Sequence, residues 1–171
     1  MIHLNNFDPN FEFLEINELT DRELCLKVRK KAPANEAKGY VPAYIFDIHL
    51  DGVNEPIGYI DIRIGNVPNL VYYGGHIGYG INEKWQKNGY ATRSCKLIFQ
   101  VALKHGLEII WITCRPDNIA SARVCEKAGG EYVGMKELPP DHEMRSEPGR
   151  THSKRYKFDL HKILNNPIGI K

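Results

Sequence analysis

The sequence predicts a mixed α/β fold, in which a sheet of six to seven strands is flanked by helices. Three observations support this prediction. Segments of alternating apolar and polar residues, typical of strands, occupy the first half of the chain. Residues 89–105 carry apolar side chains at helical spacing. A continuous apolar run over residues 107–114 is typical of a strand buried on both faces, which requires a crossover from the earlier strands.

Alternation places the strands of the first half. They are expected over residues 11–16, 40–50, 57–64 and 72–81. A helix is predicted between the first two strands, over residues 21–31, because Thr20 and Glu23 stand at the spacing of a capping box. Pro33 and Gly39 are expected to end this helical region.

The second half is predicted to alternate helices with strands. After the helix over residues 89–105, which Gly106 ends, a strand is expected over residues 107–114. The next helix begins at Pro116-Asp117-Asn118 and ends at Gly129-Gly130. Two further strands and a short helical turn are expected over residues 131–137, 155–160 and 161–164.

Length and composition indicate a globular protein. The chain has 171 residues, 42% hydrophobic and 26% charged, which predicts one domain over residues 1–171. Its net charge of +2 gives no reason to expect nucleic acid or membranes as partners. No apolar run approaches the ~20 residues of a membrane span, and residues 1–6 lack the pattern of a secretory signal. We therefore expect a cytoplasmic protein.

The cysteines and histidines suggest neither a disulfide framework nor a metal site. Four cysteines without a Cys-x-x-Cys pair are expected to be free, buried thiols. Asp141, His142, Glu143 and His152 could be read as a metal-binding set, but they lie in a polar, proline-rich loop. No metal is therefore predicted.

A phosphate-binding turn is predicted at residues 85–92, Trp-Gln-Lys-Asn-Gly-Tyr-Ala-Thr. The first amides of a helix have no partner inside it, and together with the helix dipole they attract a pyrophosphate. Gly89 permits close approach of the backbone, Ala91 keeps the helix start narrow, and Lys87 adds a positive charge. The turn lacks the Gly-Lys-Ser/Thr ending of a P-loop and the spaced glycines of a dinucleotide-binding fold. An ordinary strand-to-helix turn would explain the same residues.

Three blocks of the sequence resemble the GNAT N-acetyltransferase superfamily. Gln86-Lys87-Asn88-Gly89-Tyr90-Ala91 fits its acetyl-CoA pyrophosphate signature, Gln/Arg-x-x-Gly-x-Gly/Ala. His76-Ile77-Gly78-Tyr79-Gly80-Ile81 fits the preceding strand, and Asn118-Ile119-Ala120-Ser121 with Glu126-Lys127-Ala128-Gly129 fits a late helix. The blocks stand at the family's spacing, and the resemblance runs over residues 11–160. Gly39-Tyr40-Val41-Pro42-Ala43 adds a likeness to a largely uncharacterised bacterial branch.

The resemblance implies a centrally splayed, GNAT-like sheet, with the pantetheine arm of acetyl-CoA between two strands. The residues implied in acetyl-CoA binding are Tyr79, Gly80, Ile81, Gln86, Lys87, Asn88, Gly89, Tyr90, Ala91, Asn118 and Ser121. The first three would pair with the arm through their backbone, as a sheet edge pairs with an added strand. Asn118 is explained equally well as the N-cap of the helix that it begins.

The family's reaction is direct transfer of an acetyl group from a thioester to an amine. An alkyl amine has a pKa of roughly 10, so it must lose a proton before it attacks. His76 stands where many family members carry a glutamate, and an imidazole, with an ordinary pKa of about 6.5, accepts a proton at neutral pH. A histidine that hydrogen-bonds between strands is the other interpretation. Asp61 and Asp47 are alternative bases that would act through water.

The expected acid departs from the family pattern. Where the family often has a tyrosine that protonates the leaving thiolate, this chain has Cys125. A thiol with an ordinary pKa of about 8.5 can donate a proton, but cysteine is shorter than tyrosine. A small buried hydrophobic residue would also explain Cys125. Tyr132 and Tyr79 are possible substitutes, and the thiolate of CoA leaves readily enough that a dedicated acid is not essential.

The leading hypothesis is an acetyl-CoA-dependent N-acetyltransferase that acts on a primary amine of a small molecule or peptide, as a monomer or homodimer. An acyl-CoA-binding protein of the same fold without transfer activity is the alternative, because the family's tyrosine is missing. A third hypothesis is a basic surface for RNA or the ribosome. It rests on Arg145, Arg150, Lys154, Arg155 and Lys157. Acidic residues lie among these, which favours a solvated loop.

Overall fold

The computed structural model describes residues 7–165, so the N-terminal residues inspected for a secretory signal lie outside that range. Within it, the strands are β1 (Leu19–Asp21), β2 (Leu24–Ala32), β3 (Ala43–Leu50), β4 (Gly58–Arg63), β5 (Ile77–Ile81), β6 (Ile109–Cys114), β7 (Glu131–Glu137) and β8 (His152–Asp159). The α-helices are α1 (Tyr90–Lys104), α2 (Ile119–Lys127) and α3 (Leu160–Asn165). Short helical turns lie at Glu36–Lys38, Leu70–Gly74, Glu83–Trp85 and Glu143–Ser146.

The strands form two antiparallel sheets that meet between β5 and β6. The larger sheet has the order β1-β2-β3-β4-β5, and the smaller has the order β6-β8-β7. No ladder joins β5 to β6, so within residues 7–165 the edge of β5 that faces the smaller sheet has no strand partner. Just before β5, the N–H of His76 donates to the carbonyl oxygen of Trp111 in β6 at 2.6 Å. The predicted mixed α/β fold with a central splay is confirmed.

Helix α1 covers one face of the larger sheet, here called the inner face. Every second residue of β3 is buried, and Phe46 and Ile48 have no exposed surface. Ile98 and Phe99 of α1 lie in the same core, as does Cys125 of α2. The buried alternate side chains of the sheet and the apolar side chains of α1 therefore pack together in one continuous core.

The opposite face of the larger sheet, here called the outer face, stays partly open to solvent. Its side chains include Ile45, Asp47, His49, Tyr59, Asp61 and Arg63. Residues 33–42, which join β2 to β3, contain no helix beyond the single turn Glu36–Lys38. The chain therefore has no α-helix in this connection that could cover the outer face.

The predicted helix over residues 21–31 is wrong, because this segment forms the β1–β2 hairpin. Its turn contains Arg22, a non-glycine residue whose φ is 53°. Leu24 and Leu26 both have zero exposed surface, and this spacing of two is the period of a strand. The burial of alternate residues therefore favours a strand here, although the spacing of Thr20 and Glu23 resembles a capping box.

Residues 11–16 do not form the predicted strand. Phe13 packs edge-on against Tyr44, with ring centroids 5.1 Å apart, and Phe11 stacks on His105 at 5.1 Å. The N–H of Leu14 also donates to the Tyr44 hydroxyl. Aromatic packing, rather than a ladder, therefore holds this segment against the domain.

The strand predicted over residues 72–81 is shorter than expected, because Leu70–Gly74 forms a π-helical turn. Gly75, with a φ of 72°, then redirects the chain into β5. The other predicted helices and strands are confirmed within a few residues of their expected ends, and the described residues contain eight strands because of the additional hairpin. In the same part of the chain, every helix is too short or too polar to cross a bilayer.

Candidate active site

The N-terminus of α1 lies at the end of the turn predicted to bind phosphate, and it has no side-chain cap. Its capping residue, Gly89, has a φ of 80° and a ψ of 5°. Lys87 is also left-handed, with a φ of 63°, which costs a non-glycine residue about 1–2 kcal/mol. Closely spaced left-handed residues turn backbone amides into a concave cluster that attracts anions. The strain and the missing cap both suit an anionic ligand at this helix end.

Side chains of the turn brace its backbone. The Gln86 amide donates to the carbonyl oxygen of Ile81 at 2.9 Å, and the Asn88 amide donates to those of Trp85 and Gln86 at 3.1 and 2.9 Å. By contrast, α2 is capped internally, because the Asn118 side chain accepts from the Ser121 N–H at 3.0 Å. The unpartnered amides at the start of α1 therefore remain available to a ligand.

His76 lies between the two sheets with no exposed surface, and both ring nitrogens have backbone partners. Nδ1 accepts from the Trp111 N–H at 3.0 Å, which leaves the proton on Nε2. Nε2 is then the donor to the carbonyl oxygen of Gly65 at 2.9 Å. This neutral imidazole fastens β5 to β6 and to the loop that follows β4.

Burial lowers the pKa of His76 from 6.5 to about 4, and its hydrogen bonds offset only part of this effect. A base with both nitrogens engaged and no access to solvent is poorly placed to take a proton from a substrate. The geometry thus argues against the catalytic role expected for His76 and favours the other interpretation, a histidine that bonds between strands.

His76 is expected to make the fold acid-sensitive. Its pKa in the folded state is depressed to about 4, so the stability it contributes is present above pH 6.5 and is lost as the pH falls towards 4. The loss is expected to reach about 3 kcal/mol, measured by denaturant unfolding at a series of pH values. His76→Ala should unfold at lower denaturant concentration at pH 7.5 and should lose this part of the pH dependence. An unchanged pH dependence in the variant would assign the effect to other groups.

Asp61 lies on β4, on the outer face, directly beside a glycine of β5. A Cβ added to Gly78 would lie 2.8 Å from Asp61 Oδ2 and 3.0 Å from a guanidinium nitrogen of Arg63. The carboxylate therefore occupies the space where a side chain at position 78 would project. Because β5 offers no carboxylate of its own at this position, Asp61 brings one there from the neighbouring strand.

The environment of Asp61 suits proton transfer. Its side chain is 16% exposed, and burial raises its pKa, an effect that the nearby Arg63 only partly opposes. A guanidinium nitrogen of Arg63 lies 3.1 Å from Oδ1, but Oδ1 has no hydrogen-bond partner of suitable geometry. By contrast, Asp47 accepts a hydrogen bond from Arg29 at 2.9 Å. Of the two alternative bases, Asp61 is the one with an unsatisfied side-chain oxygen.

Cys125 has no exposed surface, and burial raises its pKa. Both properties favour its interpretation as a small hydrophobic residue over that of an acid. Tyr132 is half-exposed on the edge strand β7. Tyr79, on β5, reaches across the splay, where its hydroxyl lies 2.9 Å from the Ser121 hydroxyl of α2.

Two functional candidates were absent from the sequence prediction. Arg63 belongs to the outer-face alternation of β4, two residues after Asp61, and this spacing is the signal that could have identified it. Arg93, in the first turn of α1, binds Asp21 at 2.6 Å and Glu23 at 2.7 Å. It fastens the β1–β2 hairpin beside the turn at residues 85–92, and this long-range contact has no sequence signal.

Of the four residues considered as a metal set, His142 is engaged in other hydrogen bonds. Nε2 of His142 lies 2.7 Å from the Asn69 side-chain oxygen, and its Nδ1 accepts from the Met144 N–H. Between residues 7 and 165, no group of three or more His, Cys, Asp or Glu residues has a geometry suited to a metal ion.

Comparison with known protein families assigns the chain to one of them. The acetyltransferase (GNAT) domain family matches residues 8–131, well over half of the sequence. The chain belongs to the GNAT acetyltransferase family.

A curated relative is "Uncharacterized N-acetyltransferase YnaD" of Bacillus subtilis (strain 168). It is 35% identical over 79 residues, which cover 44% of this chain and 46% of that protein. The match thus spans less than half of the relative's length.

Solved structures show the same fold. A ribosomal-protein-S5-alanine acetyltransferase from Vibrio fischeri gives a TM-score of 0.62 at 13% identity, covering 85% of this chain and 97% of its own. RimL, a ribosomal L7/L12 alpha-N-protein acetyltransferase in complex with coenzyme A, gives 0.60 at 16% identity, with coverages of 84% and 98%. A GNAT-family acetyltransferase from Bacillus anthracis gives 0.51 at 26% identity, with coverages of 68% and 66%.

Proposed function

We propose that this protein is an N-acetyltransferase that uses acetyl-CoA as acetyl donor. The observation that carries the proposal is the uncapped N-terminus of α1 beside the unpaired edge of β5. The first feature suits a diphosphate and the second suits the amide-bearing arm of the same molecule. Family membership supports this assignment, as does the coenzyme A bound to RimL.

In this proposal the coenzyme, when bound, supplies an acetyl group activated as a thioester. The backbone of residues 86–91 holds the diphosphate, and the backbone of Tyr79, Gly80 and Ile81 aligns the arm. Asp61 takes the proton of the attacking amine, directly or through one water, and Arg63 holds the carboxylate in place. A backbone N–H on the free edge of β5 stabilises the oxyanion that forms during attack. His76 positions β5 and takes no proton.

The open outer face favours a peptide amine as acceptor. Tyr59 is 43% exposed, and no α-helix in the β2–β3 connection lies over it. A polypeptide chain can lie along such a surface and present its terminal amine to Asp61. The names of the RimL and Vibrio fischeri relatives point to ribosomal proteins as their acceptors. A small-molecule amine is the second candidate.

Nucleic acid is not part of the proposal, because three arginines of the basic set considered for RNA, Arg145, Arg150 and Arg155, are engaged within the protein. Arg145 donates to the carbonyl oxygens of Leu138 and Pro139, and Arg150 binds Glu147 at 2.6 Å. Arg155 lies over the Trp111 ring at 4.3 Å from its centroid. We also keep the cytoplasm as the proposed location, which the four free cysteines support.

Two assays test this function. Calorimetric titration with acetyl-CoA should give saturable binding, and release of free thiol should follow when polyamines, aminoglycosides, amino acids or peptides with a free N-terminus are added. Peptides with a blocked N-terminus and an internal lysine are the matched comparison for the terminal amine. Binding without thiol release in any arm would favour the alternative, an acyl-CoA-binding protein, which the absence of the family's tyrosine also motivates. Absence of binding would overturn both functions.

A further inference from the structure

Tyr79 connects the two sides of the splay. It lies on β5, with its ring packed towards the helices, and its hydroxyl meets Ser121 of α2 at 2.9 Å. No ladder joins β5 to β6 here, so this side-chain contact crosses a gap in the backbone hydrogen bonding. A polar pair in such a gap faces the position proposed for the arm of coenzyme A.

The hydroxyl pair also lies near Cys125. Ser121 precedes Cys125 by one helical turn, which places both side chains on the same face of α2. Cys125 also lies, with Cys95 and Cys114, in the buried core against which Tyr79 packs. Position 125, where the family often has a tyrosine, carries only a buried thiol in this chain. Tyr79 of β5 supplies a phenolic hydroxyl to the same region.

The surroundings of Tyr79 define what its hydroxyl can do. Burial raises its pKa above the ordinary value of 10, so the hydroxyl stays protonated at working pH. A group of that pKa does not give its proton to a thiolate, since a thiol has an ordinary pKa of about 8.5. It does donate a hydrogen bond, and a bond to a charged acceptor is about twice as strong as a neutral one.

We propose that the Tyr79 hydroxyl, oriented by Ser121, donates a hydrogen bond to the sulfur of coenzyme A as that atom becomes a thiolate. This inference rests on the proposed function. As the carbon–sulfur bond breaks, its electron pair moves to sulfur, and the Tyr79 proton stays on its oxygen. The Ser121 hydroxyl then donates to Tyr79, and the thiolate takes its proton later from water.

The test uses coenzyme A itself, without any acceptor. The ultraviolet absorbance of the thiolate is followed against pH for coenzyme A bound to the wild type, to Tyr79→Phe and to Tyr132→Phe. Tyr132 is the matched control, because it is half-exposed on β7 and away from the splay. The pKa of the bound thiol should rise by about one unit in Tyr79→Phe, a tenfold loss of thiolate preference, and should be unchanged in Tyr132→Phe.

If Tyr79→Phe does not fold, Ser121→Ala provides the same measurement with a smaller rise in the thiol pKa. Equal thiol pKa values in the wild type and in the variants of Tyr79 or Ser121 would overturn the inference while leaving the proposed function intact. If coenzyme A fails to bind the wild type at all, the inference and the proposed function both fall.

Discussion

Replacing Gly89 with tryptophan is expected to abolish acetyl-CoA binding while the protein stays folded. Gly89 caps α1 in an open position, with nothing within 4 Å of a Cβ added there. A Cβ at this position therefore meets no protein atom, and a tryptophan side chain built on it is expected to cover the amides that would hold the diphosphate. Losing two such charge-assisted hydrogen bonds, at about 1.5–3 kcal/mol each, predicts a loss in affinity of more than about 100-fold by calorimetry.

Gly106→Trp is the matched control for this change. Gly106 follows the other end of α1, with a φ of 74° and nothing within 4 Å of an added Cβ, so it carries similar backbone strain in similarly open space. The control should lose stability to a similar extent and keep its affinity for acetyl-CoA. Wild-type affinity in folded Gly89→Trp would show that the diphosphate lies elsewhere.

Asp61→Asn is expected to lower kcat/KM by about 100-fold or more, with acetyl-CoA affinity unchanged, because a positioned base contributes about 10²–10⁴ in rate. Only the ionised carboxylate accepts a proton, so the wild-type rate should fall as the pH drops through the raised pKa of Asp61. This acid limb should vanish in the variant. Burial disfavours the charged form, so the melting temperature should be retained or raised.

Asp47→Asn supplies the comparison for Asp61→Asn. Asp47 lies on the same outer face but is paired with Arg29, and its loss should change kcat/KM by less than about threefold. The measurement is the initial rate of thiol release with an amine identified in the acceptor screen. An Asp61→Asn enzyme as active as the Asp47→Asn enzyme would remove Asp61 from the proposed mechanism.

Helices and strands could be predicted from the sequence where the spacing of apolar residues matches the side chains that are buried in the structure. In α1, the apolar helical stripe that includes Ile98 and Val101 was predicted directly from the spacing, as was the apolar run of β6. The β1–β2 hairpin was missed because charged residues of β2, such as Lys27 and Arg29, are compatible with an exposed helix as well as a strand. Only pairing with β3, which is distant in sequence, decides between the two.

The candidate site shows a similar division. The strand-to-helix turn at residues 85–92, the proposed diphosphate site, could be located from the sequence because its backbone conformation depends on local residues such as Gly89. For His76 the sequence offered two interpretations and could not decide between them, because the partners Gly65 and Trp111 approach it only in the folded chain. The preference for Asp61 over Asp47 as candidate base likewise depends on tertiary structure, because Asp61 of β4 lies beside Gly78 of the paired strand β5.

The short β2–β3 connection has a consequence for inhibitor design. Within residues 33–42 the structure has a single helical turn, Glu36–Lys38, so no α-helix of this connection covers β3 and β4. Under the proposed function, a bisubstrate molecule with a peptide tethered to the sulfur of coenzyme A would have room to be lengthened residue by residue towards His49 and Tyr59. Its potency should rise with each added residue that gains a contact and should level off where the tether passes beyond the edge of the sheet.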